Sequence, residues 1–260
     1  MSVDKGRTNV VVKTCGIQTV EAAMAAAAAG ADIIGVIFAV SGRQIDTARA
    51  QEIARAIRGP NDSQQVLLAS DLHHTIDPNA SASEYFKACT EQVLQDRGSR
   101  RRPLLAGVFQ NQDLDHILDM VRAVPLDLVQ LHGTEPIEFA EKIPVPVIKV
   151  FHVDEKFSLD GNSDLFRTFR HAVILLDTKV AGTDQQGGKG VSFDWRLARR
   201  LAEMDVPFLM AGGLTPDNVA EAVRVGGAWG VDVSSGIETN KVKDVAKIRH
   251  FVDNAKTYYK

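Results

Sequence analysis

The stretch PFLMAGGLTPDNVAEAVRVGGAWGVDVSSG, residues 207–236, holds two short apolar runs, Phe208 to Ala211 and Gly230 to Val233, with a helical pattern between them. Each run ends at small residues, Gly212 and Gly213 after the first, Ser234, Ser235 and Gly236 after the second. A strand, a turn, a helix and a second strand in this order form one unit of an alternating α/β fold around a parallel sheet. Thr215 and Pro216 read as the N-cap and first turn of the intervening helix.

The same rhythm extends upstream. Strand candidates are Val10 to Lys13, Ile33 to Phe38, Leu104 to Phe109, Leu128 to Leu131, Val147 to Val150 and Val173 to Leu176. Ile33 to Phe38 is almost wholly apolar, as suits a strand covered on both faces. Helical patterns fall between the strands. Val20 to Ala29 has Thr19 as its N-cap, and Thr47 to Ile57 puts Ala50, Ile53, Ala54 and Ile57 on one stripe. Leu114 to Val124, a helix from Pro136 and a closing helix Val242 to Ala255 complete the set. Eight strands make a closed (β/α)8 TIM barrel. A doubly wound open sheet would call for a glycine-rich nucleotide turn after its first strand, and no G-x-G-x-x-G stands there.

Two segments break the pattern. Gly59 to Pro103 is too long for a plain connection and reads as an insertion between helix 2 and strand 3. Within it, Ser81 and Glu84 have capping-box spacing ahead of a helix through Gln95. Gln65 to Ser70 competes as the third strand, but only Leu104 to Phe109 is followed by a clean amphipathic helix. His152 to His171 is irregular, and its helix has no clear position. The 260 residues thus read as a single barrel domain, 1–260, with 59–103 inserted.

Composition narrows the function. The net charge of −3 gives no basic field for nucleic acid, and the run Arg100 to Arg102 reads as a solvated loop. No apolar stretch reaches the ~18 residues of a membrane span. Met1 to Asn9 has no apolar signal core, and the two cysteines, Cys15 and Cys89, suggest no disulfide framework. A cytoplasmic, monomeric protein without nucleic-acid or membrane partners is expected. His73 and His74 lack a third ligand, so no metal is proposed, and Trp195, Trp229 and Cys89 read as packing residues.

Functional groups of such a barrel gather just past the C-terminal strand ends. Thr14, Cys15 and Gly16 stand there after the first strand, and Ser41, Gly42 and Arg43 after the second. His132 and Gly133 follow the fourth, and Asp177 the sixth, ahead of a loop with Gly182, Gly187, Gly188 and Gly190. Gly212 and Gly213 admit a ligand close to their backbone, and Ser234, Ser235 and Gly236 offer further donors beside them. Turns after strands seven and eight of a barrel often hold phosphate, although either pair alone could simply make a tight turn. Cys15 is either a small buried hydrophobe or a proton-transferring thiolate, the latter needing positive charge nearby, for which Lys13 and Arg43 are candidates. Asp177 is either an acid at the barrel mouth or a loop cap. His132 and Asp232 could be buried structural groups or substrate contacts.

At these residues the chain resembles phosphoribosylanthranilate isomerase, fungal type, over nearly its whole length. The segments are VKTCGIQ, VQLHG from Val129, LLDT from Leu175, FDW from Phe193, AGGLTPDNV from Ala211 and GVDVSSGIETN from Gly230. The resemblance implies an Amadori rearrangement in tryptophan biosynthesis, with a small phosphoribosyl substrate and no cofactor. It implies Asp177 as general acid, Cys15 as general base and Arg43 as the holder of a carboxylate. It also implies a phosphate cradle at Gly212, Gly213, Ser234, Ser235 and Gly236, with His132 and Asp232 near the substrate. AVSGRQID lacks the second basic residue often found before the family arginine, AGTDQQGGKG is longer than the usual loop, and the insertion has no counterpart of its length. One rival is another phosphosugar barrel isomerase, such as that of histidine synthesis, which carries aspartate where Cys15 stands. The other is a non-catalytic phosphate-ligand sensor, which would need Gly213 and Ser235 but neither Cys15 nor Asp177.

Overall fold

A computed structural model describes residues 10–59, 67–100, 102–153, 157–160, 163–178 and 195–257. The apolar runs form β1 (Val11–Thr14), β2 (Ile33–Ile37), β3 (Leu104–Phe109), β4 (Leu128–Leu131), β5 (Val147–Val153), β6 (Val173–Thr178), β7 (Phe208–Met210) and β8 (Gly230–Val233). They pair in sequence order, all parallel, and β8 closes on β1 with Lys13 opposite Asp232. The expected closed eight-stranded barrel is therefore the observed one. Side chains alternate along a strand, so Val11, Lys13 and Cys15 share one face of β1.

Eight α-helices accompany the strands among the described residues: α1 (Val20–Ala29), α2 (Thr47–Arg58), α3 (Ala69–His74), α4 (Ala82–Arg100), α5 (Leu114–Ala123), α6 (Trp195–Glu203), α7 (Val219–Gly226) and α8 (Val245–Thr257). Their starts follow local chemistry. Thr19 Oγ1 accepts from the Ala22 N–H, and Asp46 and Asp113 do the same for Arg49 and His116. No described helix is long and apolar enough to cross a membrane.

Several local expectations need correction. The closing helix begins at Val245, because Asp244 accepts the N–H groups of Ala246 and Lys247 and so starts the helix there. Val242 and Lys243 instead form β10, which pairs antiparallel with β9 (Glu238–Thr239). After Pro136 the chain makes only a 3₁₀ turn, Ile137–Glu141, and within 152–171 only another, Ser163–Phe166, is described. The preference for Leu104 to Phe109 as the third strand holds: Leu67 and Leu68 are not in a strand and Ala69 opens α3, whereas Gln65 and Val66 lie outside the described residues. Arg102 is not solvated. It is buried in a two-pronged ion pair with Asp127, whose carboxylate also accepts the Leu105 N–H.

Within the segment between α2 and β3, α4 lies against the N-terminal end of the barrel. The capping box expected at Ser81 and Glu84 is present, with reciprocal bonds of 2.9 and 3.3 Å. The helix it starts, α4, runs past Gln95 to Arg100. Its 19 residues span ~28 Å, enough to cross a barrel. At one end, Tyr85 donates to the His171 carbonyl ahead of β6, and Ser83 to that of Asp205 ahead of β7. At the other, Val93, Leu94 and Arg97 meet Val11, Ile33, Leu104 and Trp229 at the N-terminal ends of β1, β2, β3 and β8.

Candidate active site

A cleft open to solvent lies at the C-terminal mouth. Ten residues singled out from the sequence line it: Cys15, Ser41, Arg43, His132, Asp177, Gly212, Gly213, Asp232, Ser234 and Ser235. They come from the ends of β1, β2, β4, β6, β7 and β8, so distant segments converge only because the barrel closes. Gly236 is not among the lining residues. A Cβ there would lie 1.9 Å from the Leu214 carbonyl oxygen, so this glycine lets the two turns after β7 and β8 pack together. The loop with Gly182, Gly187, Gly188 and Gly190 lies outside the described residues, as do Phe193 and Asp194.

Gly213 has φ +65°, a left-handed conformation natural to glycine. Thr215 and Pro216 do not start the following helix, which begins at Val219. They belong to a turn braced by Asn218, whose amide accepts the Thr215 N–H and donates to the Gly213 carbonyl. Asn218 supplies the local bonds that Thr215 was expected to supply, and the turn holds the glycine pair rigidly against the cleft.

Cys15 is buried, and its neighbour Lys13 is fully buried. Lys13 Nζ donates to Asp232 Oδ1 at 2.9 Å. Burial pushes the Cys15 thiol up, Lys13 pulls it down and Asp232 pushes it up, with a net rise. The lowered pKa that the thiolate reading calls for is not found: desolvation outweighs the ammonium groups of Lys13 and Lys243, and Asp232 offsets part of their charge. Burial works against the Lys13 ammonium, but attraction to Asp232 and Cys15 prevails and keeps it charged.

His132 Nε2 stands 3.6 Å from Asp177 Oδ2, beyond a good hydrogen bond. The Gln130 amide meets His132 Nδ1 at 3.1 Å, and His152 Nε2 contacts the His132 carbonyl at 2.8 Å. Burial, then repulsion from His152, Lys13 and Lys149, lowers His132 to about 3, so its ring is neutral at physiological pH.

Arg43 forms a two-pronged pair with Glu238, Nε to Oε1 at 2.6 Å and Nη2 to Oε2 at 2.9 Å. Lys243 donates to the same Oε1 at 2.8 Å and to the Ser234 carbonyl at 2.7 Å. Burial would raise the Glu238 carboxyl, but bonds from both cations hold it at about 2. Gln130, Glu238 and Lys243 escaped sequence reasoning. Gln130 could have been found by its place two residues before His132 on one strand face. Glu238 carried no local signal, because its partner Arg43 is about two hundred residues away in the chain, and Lys243 enters the site only through its bonds to Glu238 and Ser234. Among the described residues, no three His, Cys, Asp or Glu side chains cluster as a metal site would require.

The family model of N-(5'-phosphoribosyl)anthranilate isomerase matches residues 57–254. An isomerase of that name from Wickerhamomyces anomalus is 37% identical over 250 residues, 95% of this chain and 99% of that protein. A multifunctional tryptophan biosynthesis protein of Phycomyces blakesleeanus is 41% identical over 95% of this chain, which spans only 33% of that longer relative. The crystal structure of phosphoribosyl anthranilate isomerase from Thermotoga maritima superposes with a TM-score of 0.68 at 32% identity, covering 95% of this chain and 98% of that one. With most of its length matched and a barrel mouth built from the family's own motifs, the chain belongs to the N-(5'-phosphoribosyl)anthranilate isomerase family.

Proposed function

We propose that the protein catalyses the Amadori rearrangement of N-(5-phosphoribosyl)anthranilate to 1-(o-carboxyphenylamino)-1-deoxyribulose 5-phosphate in tryptophan biosynthesis. One observation carries this reading. Cys15 directly after β1 and Asp177 on β6 line one cleft, together with the small-residue turns after β7 and β8. A thiol and a carboxyl group reaching one substrate from two sides are what a paired proton donor and acceptor require.

In the proposed mechanism the phosphate lies against the backbone N–H groups of Gly213, Ser234 and Ser235, with Gly212 and Gly236 keeping the turns close. Arg43 takes the anthranilate carboxylate. Asp177 gives its proton to the ribose ring oxygen, the C1–O bond breaks, and the nitrogen lone pair forms a Schiff base. The thiolate of Cys15 removes the C2 proton, and the electron pair moves into an enolamine, which tautomerises to the ketone. Asp232 and Lys13 govern the charge around Cys15, and neutral His132 stands beside Asp177 without competing for its proton. Two buried, unpaired cysteines suit a reducing compartment, so the cytosol is the proposed setting.

The deciding experiment is rescue of a tryptophan auxotroph that lacks this isomerase. Growth on medium without tryptophan is expected. No growth despite abundant soluble protein would turn the reading towards a phosphate-ligand sensor.

A further inference from the structure

We propose that Glu238 is a positioning residue that aims Arg43 at the substrate carboxylate and ties that subsite to the turn proposed for phosphate. This rests on the function proposed above. An arginine carries five N–H donors in a planar fork. Glu238 takes two of them, on the Nε and Nη2 edge, in bonds of 2.6 and 2.9 Å. The plane of the guanidinium is thereby set, and the Nη1 and Nη2 edge stays available for a second carboxylate. The side chains are arranged accordingly: Arg43 is 26% exposed at the cleft, while Glu238, at 7%, stands behind it.

The same carboxylate also holds the other end of the site. Its Oε1 accepts Lys243 Nζ at 2.8 Å, and that ammonium donates to the Ser234 carbonyl at 2.7 Å. Glu238 therefore bridges two cations, one at the carboxylate subsite and one beside the phosphate turn. Two positive charges and one negative charge leave one positive charge to draw in a substrate with an anion at each end. Replacing the glutamate frees the guanidinium to rotate and loosens Lys243 from the turn.

The test is a double-mutant cycle on steady-state kinetics with N-(5-phosphoribosyl)anthranilate, using Glu238→Gln, Arg43→Lys and the pair. Glu238→Gln is expected to raise KM by ~10-fold or more while kcat changes far less, as for loss of binding shared by ground and transition states. The double variant should fall well short of the product of the two single effects, because a large part of what Glu238 does passes through Arg43. Independent, multiplying effects, or an unchanged KM in Glu238→Gln, would overturn the proposal while leaving the isomerase reading intact. An inactive wild-type protein would instead remove the isomerase reading and this proposal with it. Should Glu238→Gln not fold, Glu238→Asp carries the same cycle, since the shorter side chain keeps the charge but cannot span both cations, and KM is again expected to rise.

Discussion

Cys15 and Asp177 carry the proposed proton transfers, so Cys15→Ser and Asp177→Asn should each lower turnover by ~10²-fold or more, with KM changing much less. Rate measurements at saturating substrate check this, and near-normal kcat in both variants would contradict the roles. The thiol's environment makes a sharper claim. Base catalysis needs the thiolate, and burial raises the Cys15 pKa. Hence kcat/KM, which reports the free enzyme, should still be climbing with pH beyond the ordinary thiol value of ~8.5. A plateau at neutral pH would show that the thiol is not the base. Lys13 opposes the rise, so Lys13→Met should push the limb further up and cut kcat/KM at pH 7 by about tenfold for each unit gained. That variant also strands Asp232 without its ammonium partner, which costs ~3–5 kcal/mol when a buried pair is broken. Chemical unfolding separates that loss from the kinetic one.

At the scale of elements, α4 lies against the end of the barrel remote from the cleft. Phe86 is fully buried in it, and its ring packs on His171 at 5.0 Å between centroids. Phe86→Ala should therefore cost ~3–5 kcal/mol of stability. KM should stay near the wild-type value, as measured by urea unfolding and by kinetics below the transition. A large KM change would mean that this end communicates with the mouth. The sequence revealed strands and barrel helices well because each depends on local period and caps, as Thr19, Asp46 and Ser81 with Glu84 illustrate. It revealed α4 itself through the capping box, but not its place against the barrel end, which rests on contacts with residues before β6, β7 and β8. The convergence of Cys15, Arg43, His132 and Asp177 was legible because strand ends of a closed barrel must meet. The bond from Glu238 to Arg43 was not, since nothing in either segment marks the other. Arg102 misled for the same reason: only the partner Asp127, far along the chain, turns a charge run into a buried pair.

Among the described residues burial lowers three histidines, His73, His132 and His171, the last two by the most. Burial is the first cause at both His132 and His171, and each is lowered to about 3. In the unfolded chain a histidine titrates near 6.5. Between those values the unfolded state binds protons that the folded state refuses, so stability falls as pH drops from ~6.5 towards 3. Each tenfold preference for the neutral form is worth ~1.4 kcal/mol, and the two sites together account for several kcal/mol. His171 has the larger share, being fully buried, whereas the His132 side chain is 17% exposed. Glu238 acts over a lower window. Its folded carboxyl is held near 2, so the stability it confers is present above the ordinary carboxylate value and disappears only as pH falls from ~4.5 towards 2. Urea unfolding at a series of pH values from 7.5 to about 4 should thus show a decline that begins below ~6.5, ahead of carboxylate titration. The ring of His171 sits between Phe86 and Phe151, at centroid distances of 5.0 and 5.5 Å, a setting in which phenylalanine fits chemically. His171→Phe removes its proton uptake, so the decline between pH 6.5 and 4 should become visibly shallower. A slope unchanged by that substitution would mean that His171 contributes nothing to acid unfolding, and the sensitivity would have to be sought elsewhere in the molecule.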